Sequence, residues 1–207
     1  MTNSEFPAVE GAGLVLDREA HRYYYNGKRV AGVTEILSGV GIIDASWFTE
    51  ESRDRGTQVH RAMELLVNGQ LDWKTVDERI IGYVQAGEKF LREAGVIIGD
   101  QRSLTEHLVY STFGRYGGKV DALLYLFGKS PTVVDWKTGE PTFGRIQTAA
   151  YADPLSEELG LPLERAAVKL SADGTYRLHE YDDADDLDDF LAAARIYNRF
   201  IFPKRKD

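Results

Sequence analysis

The sequence predicts an α/β fold: a mixed central sheet flanked by helices, preceded by an N-terminal β-hairpin. Three observations predict it. Apolar residues recur at helical spacing over about 46–93, and then three β-type runs follow between Leu104 and Trp136. Tight connections join those runs. A helix, a second hairpin and a last helix complete the chain.

Taken in order, Leu14 to Val30 reads as short strands with Asn26-Gly27 at a hairpin turn. Thr34 reads as the cap of a short helix over Glu35 to Ser38. A helix is expected from about Ser46 to Val67, with Val59, Met63, Leu66 and Val67 as its apolar stripe and Asn68-Gly69 as its stop. A second runs from about Val76 to Glu93, closed by Gly95. Leu104 to Thr112, Lys119 to Leu126 and Thr132 to Trp136 follow as strands, with Gly128 to Pro131 as a turn. The middle strand is apolar on both faces after Asp121, as a buried strand should be. Arg145 to Tyr151 reads as a helix. Asp153-Pro154 reads as the start of a new one, with Asp as cap and Pro in the first turn. Arg165 to Leu170 and Thr175 to Glu180 form a hairpin around Ala172-Asp173-Gly174, and a helix spans about Asp185 to Phe200.

The chain has 207 residues, 43% hydrophobic content, a net charge of −8 and no cysteine. That length suits a single domain over 1–207, with its core over about 45–200 and the hairpin and short helix within 1–44. The missing cysteines exclude disulfides and thiolate metal sites. No apolar run reaches membrane-spanning length, and Met1 to Glu10 lacks the pattern of a signal peptide. A cytoplasmic protein is the expectation. The negative charge argues against coating nucleic acid by charge alone. It leaves open an enzyme that holds phosphate through a bound cation.

The chemistry concentrates between Gly118 and Tyr151. Residues two apart on a strand share a face, so Asp135 and Lys137 point one way and Trp136 the other. The turn at 128–131 folds the preceding strand back, which brings Asp121 near Lys137. Asp121 and Asp135 supply hard oxygen ligands suited to Mg²⁺ or Mn²⁺. Such a metal would polarise a phosphate and acidify a bound water. Lys137 would position that water or stabilise transition-state charge. Asp-x-Lys alone is usually a surface ion pair. Here the apolar Val133-Val134 before it and the strand end at Thr138-Gly139 argue for a site.

These residues resemble the PD-(D/E)XK nuclease superfamily, and more narrowly its RecB-type branch of phage and prophage exonucleases. Gly118-Lys119-Val120-Asp121 matches the G-x-x-D element, and Asp135-Trp136-Lys137 matches D/E-x-K. Gln147 and Tyr151 match Q-x-x-x-Y, and Gly56 to His60 matches the upstream G-x-x-x-H. All four elements stand in the family's order. The N-terminal hairpin and the acidic segment 182–189 lie outside the resemblance.

The resemblance implies a restriction-endonuclease-like fold and a metal-dependent deoxyribonuclease, an exonuclease acting on DNA ends in recombination or replication. It implies Asp121, Asp135 and Lys137 as catalytic residues, His60 as a metal ligand, and Gln147 and Tyr151 as contacts to the strand. It also implies DNA as partner, with a single-strand-binding or recombination protein as a further one, in the host cytoplasm if the gene is a phage's. An imidazole ligand would tilt preference toward Mn²⁺. Glu64, four residues after His60, shares its helical face and is read as a metal ligand or a partner orienting His60. Glu106 reads as half of a strand-edge ion pair, with membership of the acidic cluster as the alternative.

Four other readings remain open: a nuclease-fold module that binds without cutting, a structure-specific endonuclease, a phosphohydrolase acting on free nucleotides, and a structural or interaction protein in which the motif is accidental. Gly128-Lys129-Ser130 is no phosphate-binding loop, because Leu123 stands where the motif needs glycine. The run Asp182 to Asp189 lacks the spacing of a calcium loop and suits a helix N-terminus. Tyr23-Tyr24-Tyr25 reads as strand packing.

Overall fold

The computed structural model describes residues 9–11, 13–18, 20–44 and 49–202. Four strands open it: β1 (Val9–Gly11), β2 (Leu14–Asp17), β3 (Arg22–Tyr25) and β4 (Lys28–Gly32). Asn26 and Gly27 turn β3 into β4 with φ of 48° and 74°. That left-handed pair is what a two-residue hairpin of type I′ requires. The strands continue into α1 (Val33–Gly39), whose cap is Gly32 and not Thr34. Glu35 does the capping, accepting from the Gly32 N–H at 3.3 Å. Thr34 is already inside the first turn, because the helix starts directly from β4.

Helix α2 (Glu50–Val67) is capped by Thr49, whose hydroxyl accepts from the Ser52 N–H at 3.1 Å. The expected start near Ser46 falls on 46–48, outside the described residues. Helix α3 (Ile81–Glu93) begins five residues later than the pattern suggests. The Asp77 carboxylate accepts from the Arg79 N–H at 2.8 Å, an Asx turn that competes with helix at 77–79.

Strands β5 (Leu104–Ser111), β6 (Tyr116–Tyr125) and β7 (Pro131–Lys137) form where expected. Helix α4 then runs unbroken over Gly144–Leu159 with Pro154 inside it, so no new helix starts at Asp153. Proline removes one N–H from the helix ladder and orphans the carbonyl four residues back, Ala150. The Tyr116 hydroxyl, buried in the core, donates to that carbonyl at 2.9 Å. Strands β8 (Glu164–Leu170) and β9 (Tyr176–Tyr181) form the second hairpin. Helix α5 (Asp185–Ile196) carries acidic residues in its first turn, as the dipole favours. One of them, Asp186, is fully buried between Arg165 at 3.0 Å and Arg145 at 3.1 Å.

Among the described residues the sheet has nine strands in the order β1-β2-β3-β4-β6-β7-β8-β9, with β5 on the other edge of β6. Two parallel pairings, β4 with β6 and β7 with β8, make it mixed. One face packs on α1, α4 and α5 through a cluster that includes Val120, Leu123, Val133, Leu155 and Phe190. The other packs on α2 and α3 through Ala122, Leu124, Val134, Trp136 and Phe90. Trp136 and Phe90 meet edge to face at 5.9 Å. Truncating a side chain so enclosed costs about 3–5 kcal/mol. A third, smaller cluster joins Leu14 and Leu16 to Leu108 beneath the N-terminal strands. Among the described residues no helix is long and apolar enough to cross a membrane.

The sheet forks beside β6. Strand β4 pairs with its start, at Tyr116 and Gly117, and β7 pairs with its end, from Ala122 to Tyr125. Both use the edge that β5 leaves free. Gly118 to Asp121 therefore lie between two diverging strands with no ladder partner on that side.

Candidate functional site

Asp121 sits at the crotch of this fork. The pairs Ala122↔Val134 and Leu123↔Val133 set the register that brings Asp121 opposite Asp135, where regular pairing stops. The Asp121 side chain substitutes for the missing ladder: its Oδ2 accepts from the Trp136 N–H at 3.0 Å. Trp136 is driven to the far face by burial, which holds Asp135 and Lys137 on the near one. Alternation slips by one residue here, since Val120 and Leu123 enter the same cluster although three apart.

The two glycines before Asp121 admit aromatic rings. A Cβ on Gly118 would meet the Tyr151 ring at 2.9 Å, and one on Gly117 would meet Tyr23 at 3.0 Å. The G-x-x-D element thus has a steric cause in this fold: α4 lays Tyr151 directly on the strand.

His60, on α2, reaches into the fork. Its Nε2 lies 2.8 Å from the Trp136 carbonyl, and a carbonyl only accepts, so Nε2 carries the proton. The other ring nitrogen, Nδ1, faces Asp121 Oδ1 at 3.3 Å. In neutral imidazole Nδ1 would be a lone pair. A lone pair against a carboxylate needs a proton or a metal cation between them. Without metal the proton serves. Burial alone would lower the His60 pKa, but the Asp121 carboxylate, with Asp135 behind it, raises it. Burial would likewise raise Asp121, yet His60, then Lys137 and the Trp136 N–H, pull it down to about 2.

Glu106 completes a group of three donors. Ligand atoms of His60, Glu106 and Asp121 all lie within 4.8 Å of one another. The register of β5 against β6 sets Glu106 opposite Asp121, where its φ of 53° takes it off regular strand geometry. It also pairs with Lys119, as the sequence suggests. Glu64 is not brought in. Its carboxylate binds Arg61 at 2.5 Å, one turn back on the same helix.

Asp135 and Lys137 form the second half of the site. Asp135 Oδ2 lies 2.7 Å from Lys137 Nζ, and both groups are largely enclosed. Burial pushes the Asp135 carboxyl up to about 6, outweighing Lys137, with the Asp121 charge adding to the shift. Burial opposes charge on Lys137 too, but Asp135 more than compensates, and the ammonium is held above its ordinary range.

Lys137 Nζ also donates to Gln147 Oε1 at 2.9 Å. Gln147 is buried on α4, so its amide oxygen serves the lysine and is not turned outward to a strand. Tyr151 is 8% exposed. Burial first, and then Tyr23, Asp135 and Asp121, hold its hydroxyl protonated well above the usual range. Its ring packs against Gly118 and is largely enclosed.

The structure thus brings His60, Asp121, Asp135, Lys137 and Gln147 together, adds Glu106, places Tyr151 behind them, and leaves Glu64 outside. Glu106 was legible in the hairpin register, since counting back from the turn at 112–115 sets it across from Asp121. The donors fit a hard or borderline divalent cation: one imidazole nitrogen and two carboxylates, with the second imidazole nitrogen tied to a backbone carbonyl as metal-bound histidines commonly are. No known family model matches this chain, and no curated protein matches it.

Proposed function

We propose that this chain is a metal-dependent deoxyribonuclease of the PD-(D/E)XK type, RecB-like, that hydrolyses phosphodiester bonds and acts as an exonuclease on DNA ends. One observation carries the reading: the His60 imidazole converges with Asp121 and Glu106 beside the Asp135–Lys137–Gln147 chain. His60, Asp121 and Glu106 would hold the metal, with Asp135 beside them. Bound Mg²⁺ or Mn²⁺ supplies Lewis-acid stabilisation of charge on the phosphate.

The chain's own groups divide the remaining work. Lys137 keeps its proton, because Asp135 lies against it. In that form it serves as a cation and hydrogen-bond donor to the attacking water or to a phosphate oxygen. Gln147 and Asp135 hold its ammonium from two sides, which fixes the direction of that donor. Trp136 anchors the strand from the opposite face and presents its carbonyl to His60 and its N–H to Asp121.

The test is incubation of the protein with end-labelled linear DNA and a matching closed circle, in Mg²⁺, Mn²⁺ or EDTA, alongside Lys137→Ala. Metal-dependent loss of linear DNA alone is the expected result. Cutting of the circle would make the protein an endonuclease. Intact DNA in every lane, with the protein folded, would overturn cleavage and leave a binding module.

A further inference from the structure

The last three strands carry positive charge away from Lys137. Lys137 on β7 pairs with Lys169 on β8, and Lys169 pairs with Arg177 on β9. Directly paired residues share a face, so three cations stand in one row. The row spans two strand spacings, about 10 Å. On the same face His179 pairs with Ala167, which in turn pairs with Asp135. Its Nε2 is buried and has no hydrogen-bond partner. The first turn of α4 lies over these strands, with Gly144 against Ala167 and Tyr181. That turn has no acidic residue and no side-chain cap, so its positive end is uncompensated locally.

Like charges directly opposite each other on neighbouring strands are destabilising. Asp135 answers Lys137 at 2.7 Å, and one further carboxylate answers the outer cations. Glu140, in the connection from β7 to α4, pairs with Lys169. Lys169 first, and then Arg177 and His179, hold its carboxyl below the usual range. Yet Glu140 is 68% exposed, on a short connection, and nothing encloses it. Beyond the Asp135–Lys137 pair, a single exposed glutamate faces Lys169 and Arg177, which can take more negative charge than it brings.

We infer that Lys169, Arg177 and His179 form a subsite for a backbone phosphate of the strand being cut, next to Lys137, and that Glu140 occupies it in the free protein until phosphate displaces it. The inference rests on the nuclease reading and extends it by assigning the path of the strand: from the fork, across β7 and β8, toward the β9 edge. Phosphate contacts of this kind position a strand without reading its sequence.

The test uses fluorescently labelled single-stranded and duplex DNA, with Ca²⁺ in place of Mg²⁺ or Mn²⁺, and affinity measured by anisotropy over a salt series. Lys169→Ala with Arg177→Ala should weaken binding for every sequence, and the salt slope should shrink by about one for each cation removed. Glu140→Gln should bind several-fold tighter, a gain that misfolding cannot produce. Lys129→Ala, which removes one positive charge on the exposed turn before β7, is the control for each single charge removed and should behave as wild type. Cleavage in Mn²⁺ is followed in parallel. Wild-type cleavage with binding indifferent to all three changes would overturn the subsite and leave the nuclease reading standing. A wild type that neither cuts nor binds DNA would overturn both.

Discussion

The Tyr116 hydroxyl donates to the Ala150 carbonyl at 2.9 Å, the one carbonyl in α4 that Pro154 deprives of its helical donor. A residue of the central strand thereby repairs a helix 34 positions away and keeps Gln147 and Tyr151 on one continuous element. Tyr116→Phe should cost about 1–3 kcal/mol, the cost of an unsatisfied buried acceptor. Pro154→Ala restores an N–H at that position, so the cost of Tyr116→Phe should shrink in its background. Urea denaturation of the four proteins measures this. Equal costs in both backgrounds would show that the hydroxyl serves some other group.

Metal binding separates the two glutamates. Mn²⁺ should raise the melting temperature of the wild type, with about 2.7 kcal/mol of stabilisation at a hundredfold excess over Kd. His60→Ala, Asp121→Asn and Glu106→Gln should each abolish or sharply reduce the shift. Glu64→Gln should leave it intact, since Arg61 holds that carboxylate elsewhere. Thermal melts over a Mn²⁺ titration decide it, and a shift lost in Glu64→Gln but kept in Glu106→Gln would reverse the assignment.

Lys137 and Gln147 should differ in kind. Lys137→Ala should lower DNA cleavage by about 10²–10³-fold, the scale for removing a donor aimed at transition-state charge. The Mn²⁺-induced shift should survive the change. Gln147→Ala leaves the ammonium in place but loosens its aim, so kcat should fall by up to about 100-fold with KM little changed. Single-turnover and steady-state kinetics on end-labelled DNA distinguish the two. A Gln147→Ala effect confined to KM would instead indicate direct contact with the strand.

Asp153 sets a pH dependence outside the site. Burial first, and then Glu157, raise its carboxyl. Its folded pKa therefore lies above the unfolded value of about 3.9. The folded state holds the proton more tightly, so this group's stabilisation is complete below the unfolded pKa and lost as pH rises through the folded one. Asp153→Asn should be more stable than wild type at neutral pH, with the difference shrinking toward acid. Denaturant unfolding at several pH values checks the sign, and a difference independent of pH would remove the carboxyl as its cause.

Local chemistry explains why so much of the fold was readable. Asn26-Gly27 can hardly be anything but a tight turn, because the pair tolerates two consecutive left-handed residues. The stripe Val59, Met63, Leu66 and Val67 has one buried face at helical period. The connection between β6 and β7 covers 126–130, not the expected 128–131, because Pro131 already pairs with Tyr125; the resulting register places Asp121 opposite Asp135, two residues from Lys137 as expected. Where local signals misled, a distant partner had intervened. Pro154 breaks helices by losing a hydrogen bond, and the hydroxyl that answers it comes from another strand. Glu64 shares a helical face with His60, but Arg61 is closer than any metal site.

The sequence by itself determined the elements, the face on which Asp135 and Lys137 stand, and the identity of the groups available for chemistry, because periodicity and turn geometry act over a few residues. Only the tertiary structure decided which of those groups meet. The fork between β4 and β7, the reach of His60 from α2 to the Trp136 carbonyl and the turning of Gln147 to Lys137 depend on packing between elements. Such contacts are settled by the whole core at once, and no local pattern encodes them.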